Sequence, residues 1–152
     1  MEEIITLKQE IKDKMFEHAN LTYNKGKKEA LGFLFGNFLE NEIIIDDLVI
    51  PKQIATKISV SETENDIEII KKIRDFDLKS IKKVHVGWYH SHPGMGCFLS
   101  GIDEETQKYW QLINERMVAI VLDNVSGDIK AFRVKIKANI CAQYKLKLNI
   151  IH

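Results

Sequence analysis

The sequence predicts an α/β domain in which a curved mixed sheet carries helices on its faces. Short segments rich in β-branched and aromatic residues recur along the chain, as in Glu29 to Leu39, Ile43 to Ile50 and Met117 to Leu122. Between them stand stretches with apolar residues at helical spacing: Leu7, Ile11, Met15 and Ala19, and later Ile67, Ile70 and Ile73. At 152 residues and 45% hydrophobic, the chain fits a single domain spanning residues 1–152. A domain of that size buries roughly two-thirds of its unfolded surface and needs no disulfide staples.

A short strand is expected near Glu3 to Thr6, followed by an amphipathic helix from about Leu7 to Tyr23 that ends at Gly26. His18 in that helix reads as an exposed or capping residue rather than a ligand. Glu29 to Leu39 reads as a buried strand, with Glu29 on the same face as Leu31, Phe33 and Phe35. A glutamate there either stands in water at the start of the strand or begins a row of core side chains. Asn41-Glu42 turns the chain into Ile43 to Ile50, the second arm of a hairpin.

Pro51 to Ser61 is an irregular segment carrying Ile54, Ile58 and Val60, and Ser61 opens a helix with acids in its first turn that runs to about Lys79. The alternation in Lys83-Val-His-Val-Gly-Trp-Tyr89 predicts a strand from about Ile81 to His92. Pro93, Gly94 and Gly96 break it, and Ser100 starts a helix running to about Glu115. Met117 to Leu122 is a buried strand, Asp123 to Asp128 a turn, and Ile129 to Ala138 a strand with Phe132, Val134 and Ile136 inward. Tyr144 to Ile150 alternates lysines outward and is expected to add an edge strand.

The chemistry concentrates between Val86 and Asp103. Residues two apart on a strand share a face, so His90 and His92 lie side by side, while His85 falls on the opposite face and is a poor third ligand. The glycine-rich loop folds the next helix back, which turns Asp103 in its first turn toward the two imidazoles. Two His and one Asp make a three-ligand set for Zn2+, with the fourth tetrahedral position open, as in catalytic rather than structural sites. A structural site closes with four ligands, often sulfur, and the chain has only Cys97 and Cys141. Two other readings compete. An isolated His-x-His is a weak signal, and Ser100-x-x-Asp103 also fits a helix capping box.

His90-Ser-His92-Pro, six further residues, Ser100, two residues and Asp103 resemble the JAMM motif of the MPN+ (JAB/MPN/Mov34) zinc metalloproteases. The wider string from Gly87 to Gln107 is similar to the branches of that family found in the proteasome lid and the signalosome. The resemblance covers about Glu29 to Phe132 well and the N-terminal helix loosely. It implies the MPN fold, a cytidine-deaminase-like α/β arrangement, and an isopeptidase that cuts ubiquitin or a ubiquitin-like protein from a lysine. His90, His92 and Asp103 match the family's zinc ligands, Ser100 its oxyanion helper, and Glu29, three residues before Gly32, its general acid/base.

The same resemblance places Ile54, Ile58 and Val60 on an insertion that pairs with the extended tail of a ubiquitin-like substrate, in the manner of strand addition. Met95 and Phe98 stand near the substrate as well. They depart from the pattern, since relatives usually carry an aromatic at the first position and often Trp at the second. Implied partners are ubiquitin-like conjugates, with the proteasome or another MPN subunit as an assembly. The alternative is a non-catalytic or partner-activated MPN scaffold in a larger complex. Family members in those complexes extend further at the C-terminus, so the chain reads either as the catalytic domain of a longer protein or as a compact free-standing enzyme.

Composition narrows the partners. Lys+Arg and Asp+Glu balance at 22 each, which argues against nucleic acid or an anionic membrane as partner. The N-terminus lacks a basic region followed by an apolar one, and two unrelated cysteines provide no disulfide framework, so a cytoplasmic location is expected. A nucleobase deaminase would need His-x-Glu and Pro-Cys-x-x-Cys, and neither is present.

Overall fold

The structure is a computed structural model and describes residues 2–50, 83–138 and 140–152. The expected helix from Ser61 to Lys79 lies outside the described residues, as do Ile54, Ile58 and Val60. Seven strands and two helices make up the rest: β1 (Ile4–Lys8), α1 (Gln9–Asn24), β2 (Leu31–Phe38), β3 (Glu42–Val49), β4 (Val84–Ser91), α2 (Gly101–Ile113), β5 (Val118–Asp123), β6 (Asp128–Lys137) and β7 (Ile140–Ile151). The α/β class with a mixed sheet stands as expected.

The sheet closes on itself in the order β1-β3-β2-β4-β5-β6-β7. Closure comes from β7, which pairs antiparallel with β6 along one side and parallel with β1 along the other. The expected edge strand is therefore a closing strand, and it runs twelve residues rather than seven. Its alternation holds, because Leu146, Leu148 and Ile150 pack on the core while Lys145 and Lys147 face water. Alternation marks one buried face but says nothing about whether both edges find partners. Ile136, expected inward on β6, is 45% exposed because the end of that strand runs past the core.

Two apolar clusters lie beneath the two helices. The first joins Ile11, Met15 and Ala19 of α1 to Ile43, Ile45, Tyr89, Val118, Ile120 and Leu122. The second joins Trp110 of α2 to Phe33, Phe35, Trp88, Ala119 and Val121. β5 thus alternates between two buried faces, which is why it reads as an unbroken apolar run. Leu7 belongs to β1, and α1 begins two residues later, at Gln9. His18 is neither exposed nor a cap: its Nδ1 meets the Tyr89 hydroxyl across the first cluster.

β4 pairs antiparallel with β2 and parallel with β5, and α2 is the crossover that a parallel neighbour requires. Between Leu34↔Gly87 and Phe35↔His85, the register slips by one residue, leaving Val86 as a bulge. The slip corrects the expected placing of His85. Its ring packs against Phe33, Phe35 and Trp110, on the same side as Trp88, because the extra residue reverses the alternation. With its Nε2 2.7 Å from the Gly87 carbonyl oxygen, His85 is a core residue.

Backbones of β4 and β5 approach closely at Gly87, where an added Cβ would overlap the Val118 carbonyl oxygen. Backbone in a closed sheet has little room to yield. Gly87→Ala is expected to destabilise the protein by about 2–3 kcal/mol. Calorimetry should show this as a melting temperature lowered by about 5–10 °C, and an unchanged melting temperature would show that β5 can shift.

Candidate metal centre

The site is built where β2 and β4 end together and α2 begins. Leu31 pairs with His90 in the β2–β4 register, so the residues just before Leu31 lie beside the end of β4. Glu29 is two residues before β2 rather than inside it, and its carboxylate Oε2 is 2.9 Å from His90 Nε2. His92 follows β4 directly and is anchored by its N–H, which donates to the Leu122 carbonyl at 2.8 Å. The two imidazole rings stand 5.0 Å apart and nearly perpendicular, at 88°.

Asp103 completes the group from the other side. Its Oδ2 is 3.1 Å from His92 Nε2, and its Oδ1 is 3.8 Å from His90 Nε2. Ser100 caps α2: the Asp103 N–H donates to its Oγ at 3.1 Å, and the Ser100 N–H donates to Asp103 Oδ2 at 3.0 Å. The capping box and the facing of the imidazoles are thus the same arrangement. The cap fixes the aspartate in the first turn, and the fixed carboxylate points at the histidines.

Burial and charge differ among these groups. Side chains of His92 and Asp103 are nearly enclosed, at 3% and 8% exposed, whereas Glu29 is 42% exposed. Burial alone would raise the Asp103 pKa, but His92, the nearby His90 and the Ser100 donors outweigh it and hold the carboxyl below its ordinary value. The same carboxylate raises the His92 pKa against the effect of burial.

The donors of Glu29, His90 and His92 all lie within 4.8 Å of one another, a group able to hold a metal ion, and Asp103 faces the same two imidazoles. Ligands at zinc's usual bond lengths in a tetrahedron stand about 3.3 Å apart. The separations of 3.1 and 3.8 Å from Asp103 to the imidazoles bracket that value. Nitrogen and carboxylate donors of this kind suit zinc, and the convergence of lone pairs calls for a cation or protons among them.

Between His92 and α2, a loop is held by a residue that carries no motif. Asp123, at the end of β5, accepts from the N–H groups of Gly94 at 2.7 Å and Gly96 at 3.0 Å, and from Val125 and Ser126 in its own turn. Gly94 and Gly96 adopt φ of 73° and 84°, a backbone that side-chain-bearing residues resist. On this loop Met95 is 52% exposed, and Phe98, 42% exposed, sets its ring 4.9 Å from that of His92. Gln143 of β7 clamps the far end, accepting from the Leu99 N–H and donating to the Leu99 carbonyl at 2.8 Å each. Burial pushes the Cys97 thiol on the loop up to about 11, the opposite of the lowered value of an activated thiolate.

α2 is oriented by Gln107, fully buried, which accepts from Trp88 Nε1 and donates to the Met117 carbonyl, each at 2.8 Å. Asp123, Gln107 and Gln143 were not singled out by sequence reasoning as supports of the site. The turn-forming Asp123-Asn-Val-Ser-Gly127 was a usable signal, because aspartate accepts from backbone N–H groups two and three residues on. Gln143 had none.

A strand-end pair of histidines faces a helix-start aspartate, with a second carboxylate at the rim, and Glu29, His90 and His92 form a group able to hold a metal ion in a closed mixed sheet. The chain matches the family model described as JAB1/Mov34/MPN/PAD-1 ubiquitin protease over residues 3–116, and it belongs to that family. It is 37% identical over 112 residues to the Saccharomyces cerevisiae ubiquitin carboxyl-terminal hydrolase RPN11, covering 70% of this chain and 36% of that protein. It is 38% identical over 127 residues to the Caenorhabditis elegans COP9 signalosome complex subunit 5, covering 79% of this chain and 34% of that one. The Drosophila melanogaster 26S proteasome non-ATPase regulatory subunit 14 is 37% identical over 113 residues, covering 70% and 36%. The chain thus spans about a third of the length of these relatives.

Asp123 gives a test of the loop that needs no metal. Burial raises its pKa, yet four backbone donors overcome this and bring it to about 2. A folded pKa below the unfolded one contributes stability that is present above about pH 4 and is lost as the pH falls toward 2. Wild type is expected to exceed Asp123→Asn by about 2 kcal/mol near neutral pH in urea unfolding, with the gap closing between about pH 4 and 2. A gap that does not change with pH would show that the carboxylate is not held in this way.

Proposed function

We propose that this protein is a zinc-dependent isopeptidase that hydrolyses the amide between the C-terminus of ubiquitin or a ubiquitin-like protein and a substrate lysine. The observation that carries the reading is that the Glu29, His90 and His92 donors lie within 4.8 Å of one another while Asp103 faces both imidazoles, beside a loop held from both ends. Family membership and the ubiquitin hydrolase among the relatives support the substrate class.

In this reading, His90, His92 and Asp103 hold the ion, and Glu29 is the base. The burial of Asp103 and its capping box suit a fixed ligand, while the exposure of Glu29 suits a group that must meet water and substrate. Zinc supplies a Lewis acid that makes water nucleophilic near neutral pH. Glu29 takes a proton from the attacking water and returns it to the departing lysine amine. Ser100 Oγ already accepts from the Asp103 N–H, which leaves its own proton to donate to the oxyanion. Met95 and Phe98 flank the scissile bond from the loop. Ile54, Ile58 and Val60 complete the proposed contacts with the substrate's tail. An assembly with the proteasome or another MPN subunit in the cytoplasm follows from the same reading, and no helix among the described residues is long and apolar enough to cross a membrane.

The test is cleavage of ubiquitin and ubiquitin-like isopeptide conjugates by the purified chain with zinc, alongside a chelator control and metal analysis. Wild type is expected to bind one zinc and cleave. Glu29→Gln should keep the zinc and lose at least about 100-fold in rate. Absence of bound zinc would overturn the metal assignment, and bound zinc without cleavage would favour the scaffold or a partner-activated form.

A further inference from the structure

Ser91 lies between the two site histidines in sequence, yet it faces away from them and is fully buried. Strand alternation puts it on the side of Tyr89, away from the imidazoles. It is the last residue of β4, one step beyond the final regular pair, Leu31↔His90. The next rung of the β2–β4 ladder would join Ala30 to Ser91, and half of it is unusual. The Ser91 N–H donates to the Ala30 carbonyl at 3.1 Å, as in any ladder. The Ala30 N–H, however, donates to the Ser91 side-chain Oγ, at 2.6 Å.

That rung is what ties Glu29 to the fold. Glu29 precedes Ala30 directly, in a connection between the end of α1 at Asn24 and the start of β2 at Leu31. Among the described residues, the other backbone hydrogen bonds of 25–30 run from Lys25, Gly26 and Lys27 back to Tyr23, on the α1 side. Gly26 and Lys27 have positive φ, and this connection is largely exposed. Beyond the Ala30–Ser91 rung, the Glu29 side chain has its contact with His90.

From this geometry we infer that Ser91 is a positioning residue for Glu29. By closing the ladder with a hydroxyl, it holds Ala30, and through it the Glu29 carboxylate, at the imidazole face on the other side of the strand. The inference rests on the reading of Glu29 as the base. The Ser91 side chain bonds to the Ala30 N–H and to none of the metal donors, so it is expected to govern how often Glu29 is in place rather than whether metal binds. A displacement of about 1 Å at a proton-transfer group costs up to about 100-fold in rate.

The experiment compares wild type with Ser91→Ala, Ser91→Cys and Ser91→Thr. Steady-state cleavage, zinc content and amide hydrogen exchange at Ala30 are measured on each. Cys is nearly isosteric with a weakly accepting sulfur and makes no cavity, and Thr keeps the hydroxyl. Ala and Cys are expected to lower kcat by about 10- to 100-fold with KM within about twofold, to retain one zinc, and to speed Ala30 exchange at least about tenfold. Thr should restore both rate and protection. Wild-type kcat or wild-type Ala30 exchange in both Ala and Cys would overturn the role of Ser91 while leaving the isopeptidase reading intact. So would a loss of zinc or a rise in KM in place of the fall in kcat. A wild-type protein that holds zinc and cleaves nothing would instead favour the scaffold or a partner-activated form, and exchange at Ala30 would then decide by itself whether Ser91 holds the residue next to Glu29.

Discussion

The antiparallel pairing of β2 with β4 is the constraint on which the rest of this structure depends. Its register places Leu31 opposite His90, and so sets the start of one strand beside the end of the other. Glu29 and His90 are 61 residues apart in the chain, and that register, continued by the Ala30–Ser91 rung, brings their side chains within 2.9 Å. The bulge at Val86 in the same ladder turns His85 into the aromatic packing under α2 and leaves Trp88, His90 and His92 to build the site side. Close approaches at Gly36 and Gly87 let β2 and β4 sit tightly between β3 and β5.

Around that ladder, buried polar groups fix each part of the site from a different strand. Gln107 ties α2 to Trp88 and to the start of β5, which sets the height of Asp103 over the histidines. Asp123 and Gln143 hold the two ends of the intervening loop. Each is an amide or carboxylate with several partners in a low-dielectric setting, where a satisfied network gives a defined geometry and an unsatisfied one is costly. The candidate metal face is therefore held by polar side chains of α2, β5 and β7 that lie outside the motif. A second polar group at the opposite end of the strands, Glu3 with Arg116 and Arg133, joins β1 to β6 and to the segment before β5.

Much of the site was legible because its elements are local. The spacing His90-x-His92 puts two rings on one face of any strand, and Ser100-x-x-Asp103 caps any helix that starts there. The glycines at 94 and 96 announce a backbone that other residues resist, and they occur where φ is positive. Other readings failed where parity or pairing depended on a neighbour. His85 lies on the other face from the one its parity predicts because a bulge breaks the period of two. Nothing in the helix around His18 reveals the Tyr89 hydroxyl that meets it. Alternation in β7 reports one buried face and is silent about β1, its second partner.

By itself, then, the sequence determined the kinds of groups present and their local geometry: the paired imidazoles, the capped aspartate, the glycine-bearing loop and the α/β pattern of elements. Those follow from the periods of strand and helix, which act over a few residues. Tertiary structure alone decided that the sheet closes, that a carboxylate far back in the chain meets His90, and that the serine between the histidines accepts from the Ala30 N–H beside that carboxylate. These depend on strand register and on the partners of buried polar groups, which are set between segments distant in the chain and leave no mark in the spacing within either one.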